Sequence, residues 1–312
     1  MNEFELIARI AETLPTNEQV VRGAGDDCAV LDLGLKHELV LFKTDAVVAN
    51  VHFTLDTPSE KVGRKALARA LSDIAAAAGK PISCLVTLGL PKDFDAEYVL
   101  AFYNGLNELA RDYQMSVSGG ETTRTDGPMF VSVTVIGTVP RNRIITRAGA
   151  KLGDAIFVSG ELGGSISGKH LDFEPRLKEA QYLAENFTVH AMMDLSDGLA
   201  GDLRHILNAS KVGADLFSES IPVTRDAKLK AKNESSAKPP VLAALTDGED
   251  YELLFTVPSK NAVAVIDGWK ENFPNTKITC IGKITAQPGL RLRDKLGVRE
   301  LPPHGYTHFQ KS

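Results

Sequence analysis

The sequence predicts a mixed α/β (α+β) chain built as two domains. Three observations carry this. Strand-like and helix-like runs alternate along all 312 residues, the pattern of layered α/β proteins. That length exceeds the roughly 100–200 residues of one ordinary domain. An Arg-, Gly- and Pro-punctuated stretch at 140–153 then interrupts the pattern before a new strand run begins. The boundary is therefore set at residue 140, giving domains 1–140 and 141–312.

The elements follow from local chemistry. Phe4, Ile7, Ile10 and Leu14 stand at helical spacing among acidic residues, which predicts a short N-terminal helix and not a signal peptide. Apolar and β-branched runs predict strands at 38–43, 83–88, 115–118 and 130–139, then at 155–159, 191–193, 251–257 and 278–281. Helical periodicity appears at 58–78, 96–113, 177–185, 199–210 and 261–272. The helix from Pro58 has the clearest start. Thr57 and Glu60 make a capping-box pattern around a proline at the first helical position. Val62, Ala66, Leu67, Ala70, Leu71 and Ile74 form its apolar stripe, and Gly79 and Pro81 end it. The polar stretch 226–240 predicts an exposed loop or frayed helix.

Composition excludes several functions. Lys plus Arg number 35 and Asp plus Glu 40, a net charge of −5. That balance offers no electrostatic footprint for nucleic acid and little to an anionic membrane surface. No apolar run reaches the ~18 residues of a span. Three cysteines without a CxxC pair argue against a disulfide framework or structural zinc and fit a reducing cytosol. A cytoplasmic protein is expected.

The chemistry points to carboxylates at element ends: the adjacent Asp26 and Asp27 after a glycine-rich turn, Asp45 after a strand, Asp73 late in the capped helix, Glu121 after Gly119 and Gly120, Asp194 and Asp197 around the 191–193 strand, and Glu249 and Asp250 before an apolar run. Singly, each reads as a turn residue, an N-cap or a partner of a nearby cation; Asp73, for example, stands one turn from Arg69. Together they suit Mg²⁺, a hard cation held by a few carboxylates plus substrate phosphates. Gly163, Gly168 and Lys169 imitate the start of a Walker A loop. But His170 replaces the Ser or Thr that such a loop needs, and Pro175 falls where its helix should run. Cys28 reads as a small buried residue.

In this order, the stretches GAGDDCAV, TDAVVANVHF, KALARALSDIAA, SGGETTR, TRAGAKLGD, FEPRL, AMMDLSDGLAGDLRHI, DGEDYELLFTVP and GYTHF cover nearly the whole chain. They resemble the thiamine-monophosphate kinase family, within the superfamily of aminoimidazole-ribonucleotide synthetase. The resemblance implies that superfamily's two-domain fold, with the N-terminal domain forming a barrel in a homodimer. It implies ATP and Mg²⁺ as co-substrate and cofactor, and thiamine monophosphate as acceptor. By motif, Asp27, Thr44, Asp45, Asp73, Glu121, Asp194 and Asp197 would hold metal. Gly120, Glu121, Arg147 and Ser196 would meet ATP. His52, Glu249 and Tyr306 would meet the thiamine phosphate. The implied reaction is direct in-line γ-phosphoryl transfer onto an acceptor phosphate that is already ionised, so no general base is needed. Two positions depart from the family pattern: Glu121 stands where Asp is usual, and Lys43 where a small residue is usual. The Lys43 ammonium is expected to substitute for one cation. A diverged enzyme acting on another acceptor, or a non-catalytic nucleotide-binding subunit, is the alternative.

Overall fold

The computed structural model describes residues 3–301. Helix α1 (Glu3–Ala11) leads into a six-stranded sheet. Its strands are β1 (Val20–Arg22), β2 (Ala29–Leu31), β3 (Glu38–Val48), β4 (Lys80–Leu90), β5 (Ser116–Arg124) and β6 (Phe130–Pro140), in the order β1-β2-β3-β6-β4-β5. Only β4 and β5 run parallel. Helix α2 (Ser59–Ala76) packs on β3, β4 and β6, with α3 (Ala96–Asp112) beside it.

The second sheet opens with β7 (Ala155–Ser159). Helices α4 (Lys169–Asp172) and α5 (Leu177–Asn186) follow, then β8 (Ala191–Asp194), α6 (Leu199–Ser210), β9 (Gly213–Phe217), α7 (Arg225–Asn233) and α8 (Pro240–Thr246). The described residues continue through β10 (Leu253–Val257), α9 (Ala262–Asn272), β11 (Ile278–Thr285), β12 (Gly289–Asp294) and β13 (Gly297–Glu300). Strand order is β13-β12-β9-β11-β7-β10-β8. β7 and β10 are buried at every position, as strands covered on both faces must be. Among the described residues, no helix is long and apolar enough to cross a membrane.

Helix α2 stands at the centre of the site. Its predicted stripe is buried, but so are Lys65, Ser72 and Asp73 on other faces, because α3, α4, α5 and β8 also pack against it. Gly63 and Gly105 permit the α2–α3 crossing. A Cβ on Gly63 would meet the Phe102 carbonyl oxygen at 1.8 Å, and one on Gly105 the Glu60 oxygen at 1.9 Å. One apolar core joins α2 and the first sheet to α5, Phe157, Phe255 and Trp269 of the second.

Several sequence expectations change. The capping box does not form. Pro58 is the N-cap, and the Thr57 hydroxyl instead accepts from Thr54 N at 3.3 Å, closing the preceding turn. Pro81 does not follow the helix in a loop; it lies inside β4, where the register with β6 shifts between Pro81 and Ser83. Asp45 and Glu121 lie within strands, not after them, because β3 and β5 run on to Val48 and Arg124. The polar stretch from 226 begins as helix α7, capped by Thr224.

Candidate active site

Three carboxylates meet from three separate elements. Asp27 comes from the loop before β2, Asp73 from the last turns of α2, and Asp194 from the end of β8. All are buried, and one oxygen of each lies within 4.8 Å of the others. The fold supplies two cations and one hydroxyl. Lys43 Nζ stands 2.9 Å from Asp73 Oδ1, and Arg147 binds Asp27 Oδ1 at 2.6 Å. Ser72 Oγ donates to Asp194 Oδ2 at 2.6 Å. Burial, reinforced by the other carboxylates, raises Asp73 well above the usual range and Asp194 to about 6. The cluster thus holds more negative charge than Lys43 and Arg147 relieve. A compact set of carboxylate oxygens with surplus charge fits a hard divalent cation such as Mg²⁺.

A second cluster lies around Lys65, whose side chain is fully buried. Its Nζ touches Glu249 Oε2 at 2.6 Å, His170 Nδ1 at 2.7 Å and the His52 carbonyl at 2.7 Å. Arg69 bonds Asp45 at 3.2 Å and approaches Glu249 at 3.6 Å. Burial would raise the Glu249 carboxyl, but His170, Lys65 and Arg69 together bring it down to about 2. Burial lowers Lys65 to about 8 despite Glu249.

The run 249–252 is wired alternately. Glu249 faces the Lys65 cluster. Asp250 accepts from Gly163 N at 3.0 Å and from Ser165 Oγ, fixing the 160–168 loop. Tyr251 stacks on Phe173 with centroids 4.0 Å apart. Glu252 pairs with Arg176 at 2.8 Å and Lys169 at 2.8 Å. The Lys169 ammonium is thereby committed to Glu252, and the loop amide of Gly163 to Asp250. That is not a phosphate cradle.

Two family models match the chain: AIR synthase related protein, N-terminal domain, over residues 25–139, and its C-terminal domain over 150–295. Thiamine-monophosphate kinase of Rhodopirellula baltica is 38% identical over 93% of this chain and 92% of its own. That of Escherichia coli K12 is 36% identical over 98% of each. The chain belongs to the thiamine-monophosphate kinase family. A solved family structure, AaThiL complexed with AMPPCP and TMP, aligns with this thiamine-monophosphate kinase family member at TM-score 0.83 and 30% identity, over 99% of this chain and 97% of that one. The E. coli hydrogenase maturation protein HypE shares the fold at TM-score 0.72 and 19% identity, over 96% of this chain and 97% of that one.

For this family member, the structure groups some of the sequence-selected residues and separates others. Asp27, Asp73 and Asp194 converge, with Arg147 on Asp27. Asp197 follows in the turn before α6, its amide donating to buried Asp202 at 3.1 Å. It is not the N-cap, which is Gly198. The Ser196 carbonyl accepts from Glu249 N at 2.7 Å, placing these two selected residues side by side. Asp45 turns to Arg69, and Asp73 takes Lys43 as its partner instead of Arg69. Thr44 lies on the opposite face of β3 from Lys43 and Asp45, with its hydroxyl on Ser132 and Thr134 at 3.1 and 3.0 Å. Gly120 and Glu121 lie along exposed β5. His52 joins the second cluster through its carbonyl, while its ring accepts from Val48 N at 3.1 Å. Tyr306 lies outside the described residues. Sequence reasoning missed Lys65, Arg69, Ser72 and His170 as members of these clusters. The one available signal was an unbroken helix carrying Lys65, Arg69 and Asp73 four residues apart.

Proposed function

We propose that the chain transfers the γ-phosphoryl group of ATP to thiamine monophosphate, yielding thiamine diphosphate, with Mg²⁺ as its metal. One observation carries the reading: buried Asp27, Asp73 and Asp194 converge from three elements in a chain whose full-length relatives are thiamine-monophosphate kinases. The AaThiL complex with AMPPCP and TMP supports binding of a nucleotide and a thiamine phosphate by this fold.

The three aspartates would hold the metal, with Asp45 and Asp197 nearby and Thr44 and Glu121 on the other face of the sheet. When bound, Mg²⁺ neutralises phosphate charge and stabilises the transferring group. Arg147, Ser196, Gly120 and Glu121 would meet ATP. His52, Glu249 and Tyr306 would meet the acceptor. Lys65 would orient Glu249 toward it. The acceptor oxygen is ionised at neutral pH, so the side chains align and neutralise two polyanions without removing a proton. Transfer is direct, without a phosphoenzyme. The domains divide at 140, and the protein acts in the cytoplasm as a homodimer. Support for the dimer is an open sheet face carrying exposed Phe42, Leu85 and Ile136.

The test is incubation with ATP, Mg²⁺ and thiamine monophosphate, with chromatography for thiamine diphosphate. Calorimetric nucleotide binding without product would replace the reading with a non-catalytic nucleotide-binding subunit. Product only from another phosphate acceptor would mark a diverged enzyme.

A further inference from the structure

Lys43 occupies an unusual place for a lysine. β3 pairs with β6 over eleven residues, from Glu38 to Val48. Period-two alternation puts Lys43 and Asp45 on the inward face with Leu41 and Val47, both nearly inaccessible. The Lys43 side chain is 24% exposed, and its ammonium lies 2.9 Å from Asp73, whose side chain is 9% exposed. Five formal charges therefore share one small volume: Asp27, Asp73 and Asp194 against Lys43 and Arg147. Their sum is −1. Arg147 engages Asp27, Lys43 engages Asp73, and Ser72 bonds Asp194.

An ammonium in contact with a carboxylate oxygen holds space and charge that a divalent ion would otherwise take. A second cation beside it meets like-charge repulsion that low dielectric strengthens. A half-buried lysine rooted on a central strand and paired to Asp73 stays close to the cluster. Arg69 repeats the arrangement nearby, bonding Asp45 through Nε at 3.2 Å.

We propose that Lys43 is a built-in counter-ion: its ammonium fills one cation position of the Asp27–Asp73–Asp194 cluster, so that the nucleotide-bound site takes up one divalent ion fewer than it would with a neutral residue at 43. The inference rests on the kinase reading for the presence of metal and nucleotide, but not on turnover. It also makes the divalent-ion dependence of binding less steep in this chain than in the neutral variant.

The test counts ions. The full chain is equilibrated with Mn²⁺ and AMPPCP, and free Mn²⁺ is read by electron paramagnetic resonance. Lys43→Met binds one more Mn²⁺ per chain than the wild type, while Lys43→Arg keeps the wild-type count. Equal counts in wild type and Lys43→Met, including none in either, overturn the proposal. Circular dichroism reports whether Lys43→Met folds; if it does not, Lys43→Gln carries the same comparison. Because AMPPCP is not turned over, the ion count stands or falls separately from the product assay.

Discussion

Lys65 Nζ lies 2.6 Å from Glu249 Oε2, an ion pair that ties α2 of the first sheet to the turn before β10 of the second. The lysine side chain is wholly inaccessible, and among the described residues its ammonium is supported by Glu249, His170 and the His52 carbonyl. Lys65→Met leaves Glu249 and that carbonyl without their donor. Breaking a buried pair from one side costs about 3–5 kcal/mol. Glu249 keeps His170 at 2.9 Å and Arg69 at 3.6 Å, so the lower end, about 3 kcal/mol, is expected. Urea unfolding measures it. Adding Glu249→Gln should recover part of the loss, since a neutral amide no longer needs the cation. A single-variant loss under about 0.5 kcal/mol would mean that the pair contributes as little as an exposed one.

Glu252 predicts the acid limb of the stability curve. It is almost fully buried between Lys169 and Arg176, and Ser159 Oγ donates to it at 2.7 Å. Burial alone would raise its carboxyl, but the two cations hold it down at about 2. The folded state thus favours the ionised form. Its stabilisation is complete above the ordinary value near 4.5, and it is lost as pH falls through about 2. Glu252→Gln should lose on the order of 3 kcal/mol at pH 7. The gap to wild type should close between about pH 4.5 and 2, as denaturant melts at stepped pH would record. A gap constant down to pH 2 contradicts the assignment. Asp250 runs the other way. Burial raises it to about 6, so its contribution weakens as pH rises from about 3.8 through 6. Comparing the two proteins at each pH keeps most of that out of the difference.

How much of this was legible in sequence depends on range. Asp27, Asp73 and Asp194 stood out because a carboxylate next to an apolar run is locally anomalous. Lys65, Arg69 and His170 did not. A lysine or arginine in a helix reads as solvated, and nothing local says that α4, α5 and β8 will cover the second face of α2. The face on which Thr44 lies was missed for a nearer reason. Ending the strand at 43 hid the alternation that puts residue 44 on the outer face, although the run through Val48 was available. The short strands β1 and β13 carry arginines and little apolar pattern, and are strands because neighbours pair with them.

Metal removal should invert the effect of Asp194→Asn. Without divalent ions, three buried carboxylates repel, and burial makes the ionised Asp194 unfavourable above about pH 6. A neutral amide that keeps the Ser72 contact relieves this, so Asp194→Asn should melt a few degrees above wild type in chelator, corresponding to roughly 1–2 kcal/mol. Titrating Mg²⁺ with nucleotide should then raise the wild-type melting temperature and leave the variant nearly unchanged. Product formation in the variant should fall at least ~100-fold, as expected when charge stabilisation at a reacting phosphate is lost. Equal Mg²⁺ responses in both proteins would remove Asp194 from the metal set.

The open face of the first sheet predicts the assembly. Phe42 and Ile136 are direct cross-strand partners and both are exposed, and Leu85 lies one strand over at 50% exposure. Thr44, Thr134 and Thr87 continue that face, and Glu121 shares it through its register with Thr87. Apolar side chains across hydrogen-bonded strands leave water on a flat surface that a second copy can cover. Leu85→Asp places a charge at its centre, away from α2 and from the buried carboxylates. In a monomer the substitution is nearly neutral, within about 0.5 kcal/mol. In a dimer formed through this face it buries one uncompensated charge from each copy. Light scattering on the wild type should therefore give twice the chain mass, and Leu85→Asp should shift it to one chain with an unchanged circular dichroism spectrum. A second copy on this face would also cover Glu121, so nucleotide affinity should weaken along with dimerisation. Monomeric wild type at micromolar concentration, or a dimer indifferent to Leu85→Asp, would place the interface elsewhere.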